Sequence, residues 1–175
     1  MPAALGALFQ YSFQGGGLSK LHERLFHRVL KGLNLNILES EAEKFLDEKL
    51  EQLLSPSVLK NVDKDGAILS SSPLFLVSKI AKRLNVSLFA GTEYEVDIAS
   101  CLCKIRSVVT GLEKKQIAEK WCQTFKISPK ALVAWSDSVD DLPLLYLAGK
   151  VVAVRPSRAL KKIAIKNQWQ IWSED

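Results

Sequence analysis

Histidine is nearly absent from this chain, and the two present, His22 and His27, stand five apart, a separation that puts them on different faces of a helix and excludes a paired-histidine metal site there. Cysteine is sparse too. Cys101, Cys103 and Cys122 make an odd count without metal-ligand spacing, so buried or free thiols are expected rather than a disulfide frame or a zinc site. The glycine run Gly15-Gly16-Gly17 is not followed by Gly-Lys-Ser/Thr, which excludes a nucleotide-binding P-loop. No apolar run is long enough to span a bilayer, and the start Met-Pro-Ala-Ala-Leu-Gly-Ala-Leu-Phe lacks the basic opening of a signal peptide. The expectation is a cytoplasmic protein with no membrane partner. Basic residues outnumber acidic ones 24 to 19, yet they cluster only from Arg155 to Lys166. There they interleave with Ala159, Leu160, Ile163 and Ala164 at helical spacing, which reads as a solvated helix face. No aromatic interleaving or recognition motif accompanies them, so no nucleic-acid partner is expected.

What is present is the make-up of a globular protein, 47% hydrophobic and 25% charged. After the segment 1–17, the apolar residues Leu18, Leu21, Leu25, Phe26, Val29 and Leu30 line one face of a helix running to Leu33, with His22 and His27 expected at the surface. A second helix, about Ser40 to Leu54, buries Ala42, Phe45, Leu46, Leu50, Leu53 and Leu54. The pair forms a helical hairpin over residues 18–56, closed by Ser55-Pro56. Residues 57–175 then alternate strands and helices. A short helical stretch and the polar turn Asp63-Lys64-Asp65-Gly66 lead to the strand Ala67–Leu69, the loop Ser70-Ser71-Ser72-Pro73 and a helix through Phe75, Val77, Ile80 and Ala81. A strand Val86–Ala90 and a β-leaning stretch Tyr94–Val109 follow. Thr110-Gly111 opens a helix with the apolar face Ile117, Ala118, Trp121 and Phe125. Ala131–Trp135 reads as a buried strand, Asp137, Asp140 and Asp141 fall on the loop after it, and Pro143 suits the first turn of the next helix. Strand Val151–Val154, helix Ser157–Lys166 and strand Trp169–Trp172 close the chain. This alternation predicts an α/β fold with a mostly parallel sheet, helices on both faces, and chemistry at the carboxyl ends of the strands.

Three features meet that expectation: a hydroxyl run at a helix start, a lysine near a second helix start, and an acid cluster after a third strand. Helix starts and lysine suit phosphate, and paired carboxylates suit Mg²⁺. Each alone is ordinary capping or surface chemistry; their order carries the signal. Together the motifs resemble the haloacid dehalogenase-like hydrolase superfamily, in its phosphoserine phosphatase-like branch with a helical cap. Ser70-Ser71-Ser72-Pro73 after Ala67-Ile68-Leu69 is similar to that family's second motif, and Lys114, or alternatively Lys115, to its third. Asp137-Ser138-Val139-Asp140-Asp141-Leu142-Pro143 is similar to its fourth, with Ser136 standing where the family usually has glycine. The resemblance implies a Rossmann-like core with a partial helical cap, acting on a small phosphomonoester with Mg²⁺. It implies that Ser70, Ser71 and Lys114 bind phosphate, that Ser70 and Lys114 serve catalysis, that Asp137 and Asp141 are the metal-site acids, and that Asp140 is a spacer.

The family's nucleophile, the first acid of an Asp-x-Asp pair, belongs on a central strand ahead of the cap. Ahead of the cap-like helices this chain has no such pair; its first aspartate is Asp47, inside the second of them. The nucleophile motif and its strand are missing from their expected place. The expectation is therefore a family member inactive as given, either truncated or a non-catalytic phosphate- and Mg²⁺-binding or scaffold protein. An α/β domain without phosphate chemistry is the alternative, and loss of a central strand suggests self-association.

Overall fold

The computed structural model describes residues 18–53 and 65–173. The expectations for residues 1–17, for Leu54 and the Ser55-Pro56 close, for the short helix after it, and for the side chains of Leu18, Leu21 and Leu53 lie outside the described residues. The chain divides into two compact units, Met1–Val109 and Thr110–Asp175.

In the first unit, α1 (Leu18–Leu25) runs into one π-helical turn, Phe26–Leu30, closed by the Lys31 N–H donating to the Phe26 carbonyl at 2.8 Å. That turn ends the helix before Leu33, and Gly32 reverses the chain at φ +82°, a conformation open to glycine. α2 (Leu35–Leu53) starts ahead of Ser40 because Asn34 Oδ1 accepts the Asn36 N–H at 3.0 Å and supplies the missing start signal. The surface reading of the histidines holds for His27 and fails for His22, which is buried. His22, Phe26 and Leu30 are spaced by four and form one buried line, so the helical period itself carried this information.

β1 (Ala67–Pro73) continues through the serines instead of stopping at Leu69, because parallel pairing with β2 (Leu88–Val96) extends from Ala67 opposite Leu88 to Pro73 opposite Thr92. α3 (Leu74–Arg83) connects the two strands. β3 (Leu102–Ser107) pairs antiparallel with β2. Only the turn 97–101 separates these strands, too short for the crossover a parallel pair requires. The core joins Phe26, Leu30, Leu38, Ala42 and Leu46 of the helical pair to Phe75, Leu76, Ile80 and Leu102.

The second unit holds α4 (Gly111–Phe125), β4 (Val133–Ser136), a 3₁₀ turn (Val139–Asp141), α5 (Leu142–Leu147), β5 (Lys150–Val154), α6 (Arg158–Lys166) and β6 (Gln170–Trp172). Its sheet is wholly parallel in the order β4-β5-β6. The fold is α/β as expected, but among the described residues the strands form two three-stranded sheets, the first of them mixed. β4 is also not the fully buried strand expected. Ala134 and Ser136 face the core, whereas Val133 and Trp135 are 49% and 37% exposed. Ala134 packs with Leu145, Ala148, Val151, Ala153, Leu160 and Ala164. α4 buries Lys114, Ala118 and Cys122, spaced by four, and leaves Phe125 exposed, so its inner face is rotated from the apolar face expected. No helix among the described residues is long and apolar enough to cross a membrane.

Candidate functional site

The site of the second unit begins with a glycine. Gly111 opens α4 against the 3₁₀ turn so closely that a Cβ there would lie 1.6 Å from the Asp140 carbonyl oxygen. Any other residue would push the helix start away from the acid loop. Thr110 fixes the first helical turn: its N–H donates to Glu113 Oε2 at 3.2 Å, and its hydroxyl donates to the same carboxylate. The Thr110 hydrogen bond holds Glu113 below the usual carboxylate range, against an opposing effect of burial.

One residue on from Glu113, Lys114 points inward. Its Nζ donates to Asp141 Oδ1 at 2.7 Å, with both side chains largely shielded from solvent. Ser136, at the carboxyl end of β4, donates its hydroxyl to Asp141 Oδ2 at 2.7 Å. Both Asp141 oxygens are therefore engaged by this chain, one by a cation and one by a hydroxyl. The Ser138 N–H donates to Ser136 Oγ at 3.1 Å, and the Asp140 N–H donates to Ser138 Oγ at 3.2 Å, so the loop is folded on its own serines. The Asp137 carbonyl accepts the Ser157 N–H at 3.2 Å, which ties the loop to the start of α6. Burial pushes the Asp137 carboxyl above its ordinary range; the Asp137 backbone N–H pulls it back, the nearby Asp141 charge raises it, and the Lys114 ammonium lowers it. Lys115 faces outward, its Nζ 3.6 Å from Glu119 Oε1. Of the two candidate lysines, Lys114 is the one aimed at the acids.

Ser70 and Ser71 belong to the first unit, Ser70 at the middle of β1 and Ser71 one residue nearer its carboxyl end. The half-buried Ser70 accepts the Ser72 N–H on its Oγ at 3.1 Å. Ser71 is buried, and its carbonyl accepts the hydroxyl of the fully buried Thr92 at 2.7 Å. That threonine also accepts the Val109 N–H at 3.4 Å, pinning the end of β1 to the chain beyond β3. Sequence reasoning did not single out Ser136 or Thr92 as partners: Thr92 bonds across strands, which leaves no local pattern, and the Ser136 bond to Asp141 depends on how the intervening loop folds back. One Asp-x-Asp does precede Ser70, at Asp63-Lys64-Asp65. Asp65 is exposed in the turn that enters β1, at the amino end of the strand. That placement does not match a nucleophile following a strand.

Among the described residues no group of three or more His, Cys, Asp or Glu side chains could hold a metal. Mg²⁺ is commonly held by only one or two carboxylates, with waters and phosphate oxygens filling the octahedron. Each Asp141 oxygen accepts one hydrogen bond and keeps a second lone pair, so Asp137 and Asp141, the two acids the resemblance names, are both hard oxygen donors of the kind such an ion takes.

The structure of a Bordetella pertussis Tohama I protein of unknown function superposes with a TM-score of 0.74 at 18% identity, covering 98% of this chain and 91% of that one. A probable phosphoserine phosphatase from Vibrio cholerae superposes at 0.63 with 17% identity, over 91% of this chain and 48% of that one. In sequence, a phosphoserine phosphatase of Archaeoglobus fulgidus is 27% identical over 146 residues, 82% of this chain. This chain spans only 41% of that relative's length. No protein-family model matches. The chain thus has the α/β fold of haloacid dehalogenase-like hydrolases. Within that class its fold is phosphoserine phosphatase-like.

Proposed function

We propose that the chain is a phosphatase-type protein whose second unit keeps a phosphate- and Mg²⁺-binding site, and that the 175-residue chain by itself does not turn over a phosphomonoester. The observation that carries this reading is the buried Lys114–Asp141 pair at 2.7 Å, next to Asp137 on a loop after a parallel strand. In this proposal Asp137 holds the metal, and Asp141 acts on Lys114, fixing its ammonium so that the charge is already oriented when a phosphoryl group arrives. Bound Mg²⁺ supplies positive charge to phosphate oxygens. Lys114 neutralises the remaining oxygen charge, and Ser136 holds Asp141 in its rotamer from the other side. Ser70 and Ser71 remain phosphate-binding candidates on the resemblance alone.

The expected ligand is a small phosphomonoester. Without an aspartate nucleophile ahead of the cap-like helices no aspartyl-phosphate can form, and loss of a nucleophile costs several orders of magnitude in rate. Two measurements test the proposal. Mg²⁺ should raise the melting temperature of the wild type by mass action and leave Asp137→Ala unmoved; equal shifts in both would refute the metal assignment. Phosphate release from a panel of small phosphomonoesters with Mg²⁺ should stay at background; robust turnover abolished by Asp137→Ala would overturn the inactive reading.

A further inference from the structure

Between Asp141 and Glu174 the sequence carries Lys150, Arg155, Arg158, Lys161, Lys162 and Lys166 and not one acid, although the whole chain nets only +5. Four of these cations sit on α6, whose inner face buries Leu160 and Ala164. Arg158, Lys161, Lys162 and Lys166 are all exposed, and Ile165, 63% exposed, lies among them, four residues after Lys161 and three after Lys162. Among the described residues no acid comes within ion-pair distance of these four side chains. An ordinary solvated helix face mixes charges of both signs, because like charges three or four apart repel and weaken the helix. Here Arg158 and Lys162, and then Lys162 and Lys166, are such like pairs. The arrangement is unfavourable in isolation and favourable against a broad anionic surface.

We infer that the outer face of α6 docks on an anionic lipid bilayer, with its cations over the headgroups and Ile165 entering the interface. The charge is complementary, and lysine, a compact point charge, outnumbers the forked arginine that suits bidentate contacts to individual phosphates. A large aliphatic side chain exposed at the centre of the cations adds nothing to a phosphate backbone but gains from a membrane interface. The helix lies on the surface in this reading, consistent with the lack of a spanning helix among the described residues.

The test is cosedimentation of the full chain with phosphatidylcholine vesicles, with and without phosphatidylserine, at low and high salt. Binding should require phosphatidylserine and weaken with salt. Lys161→Gln/Lys162→Gln should bind about 25-fold more weakly, roughly fivefold per lysine near an anionic surface. Ile165→Ser should weaken binding further without altering its salt dependence. Because all three positions are exposed, unfolding midpoints should match the wild type. Equal binding to both vesicle types, no loss in the double variant, or stronger binding to duplex RNA than to phosphatidylserine vesicles at the same salt would each overturn the inference.

Discussion

Gly111→Ala sets two principles against each other with opposite signs. In a helix that merely needs residues, replacing glycine by alanine stabilises by about 0.5–1 kcal/mol through lost freedom of the unfolded chain. Here the new methyl would stand 1.6 Å from the Asp140 carbonyl oxygen. Ordinary carbon contacts lie at about 3.5 Å, so the helix start and the 3₁₀ turn must part by about 2 Å. Lys114 is one helical turn from Gly111, and its 2.7 Å contact with Asp141 has no slack to absorb such a shift. Overpacking of this kind costs about 1–3 kcal/mol, and stretching a buried ion pair adds to it. The expected net result is a loss of about 2 kcal/mol, despite the helix-propensity gain. Urea unfolding followed by tryptophan fluorescence is the suitable assay, since Trp121, Trp135, Trp169 and Trp172 are the chain's four tryptophans and all lie in the second unit. Gln116→Ala, at an exposed position of the same helix, is the control and should be near neutral. If Gly111→Ala proves as stable as the wild type or more so, the close docking of α4 on the acid loop is wrong.

Removing one partner of the buried pair, by Lys114→Met, should destabilise by about 3 kcal/mol, because Asp141 is left as a buried charge. Lys114→Met/Asp141→Leu should recover at least half of that loss; strictly additive effects would show that the two groups do not interact. For His22, burial lowers the imidazole below its ordinary value of 6.5. The unfolded chain then takes up a proton first as pH falls through 6.5, so stability should fall with it until the folded-state value is passed. His22→Gln should remove that part of the pH dependence in urea unfolding followed by far-ultraviolet circular dichroism. An unchanged slope would refute the role of this side chain.

Local chemistry made much of the second unit legible. Thr110 before Gly111, Pro143 in the first turn of α5 and Ser157 capping α6 are start signals that act within a few residues, and the helices begin where they stand. What failed was set by distant partners. β1 runs past Leu69 because β2 offers it a ladder, and β3 turns back because its connection is short. The Asn34–Cys101 bridge ties the turn between the helices to the residue just before β3, and no spacing announces a contact across that distance. His22 differs for another reason: residue type favours the surface, whereas its spacing from Phe26 and Leu30 places it inside. At the site, the acid loop and Lys114 stood out by order and type, whereas the engagement of both Asp141 oxygens is a matter of side-chain geometry.

The bond from the Ser157 N–H to the Asp137 carbonyl gives the acid loop a reporter outside the site. The Ser157 amide proton can exchange with deuterium only when that bond opens, so its protection measures how often the loop lifts from the start of α6. A ligand that stiffens the loop should slow exchange at Ser157 even if it touches nothing on that helix. The loop's opening is thereby readable at a single amide, on a timescale that no static distance conveys.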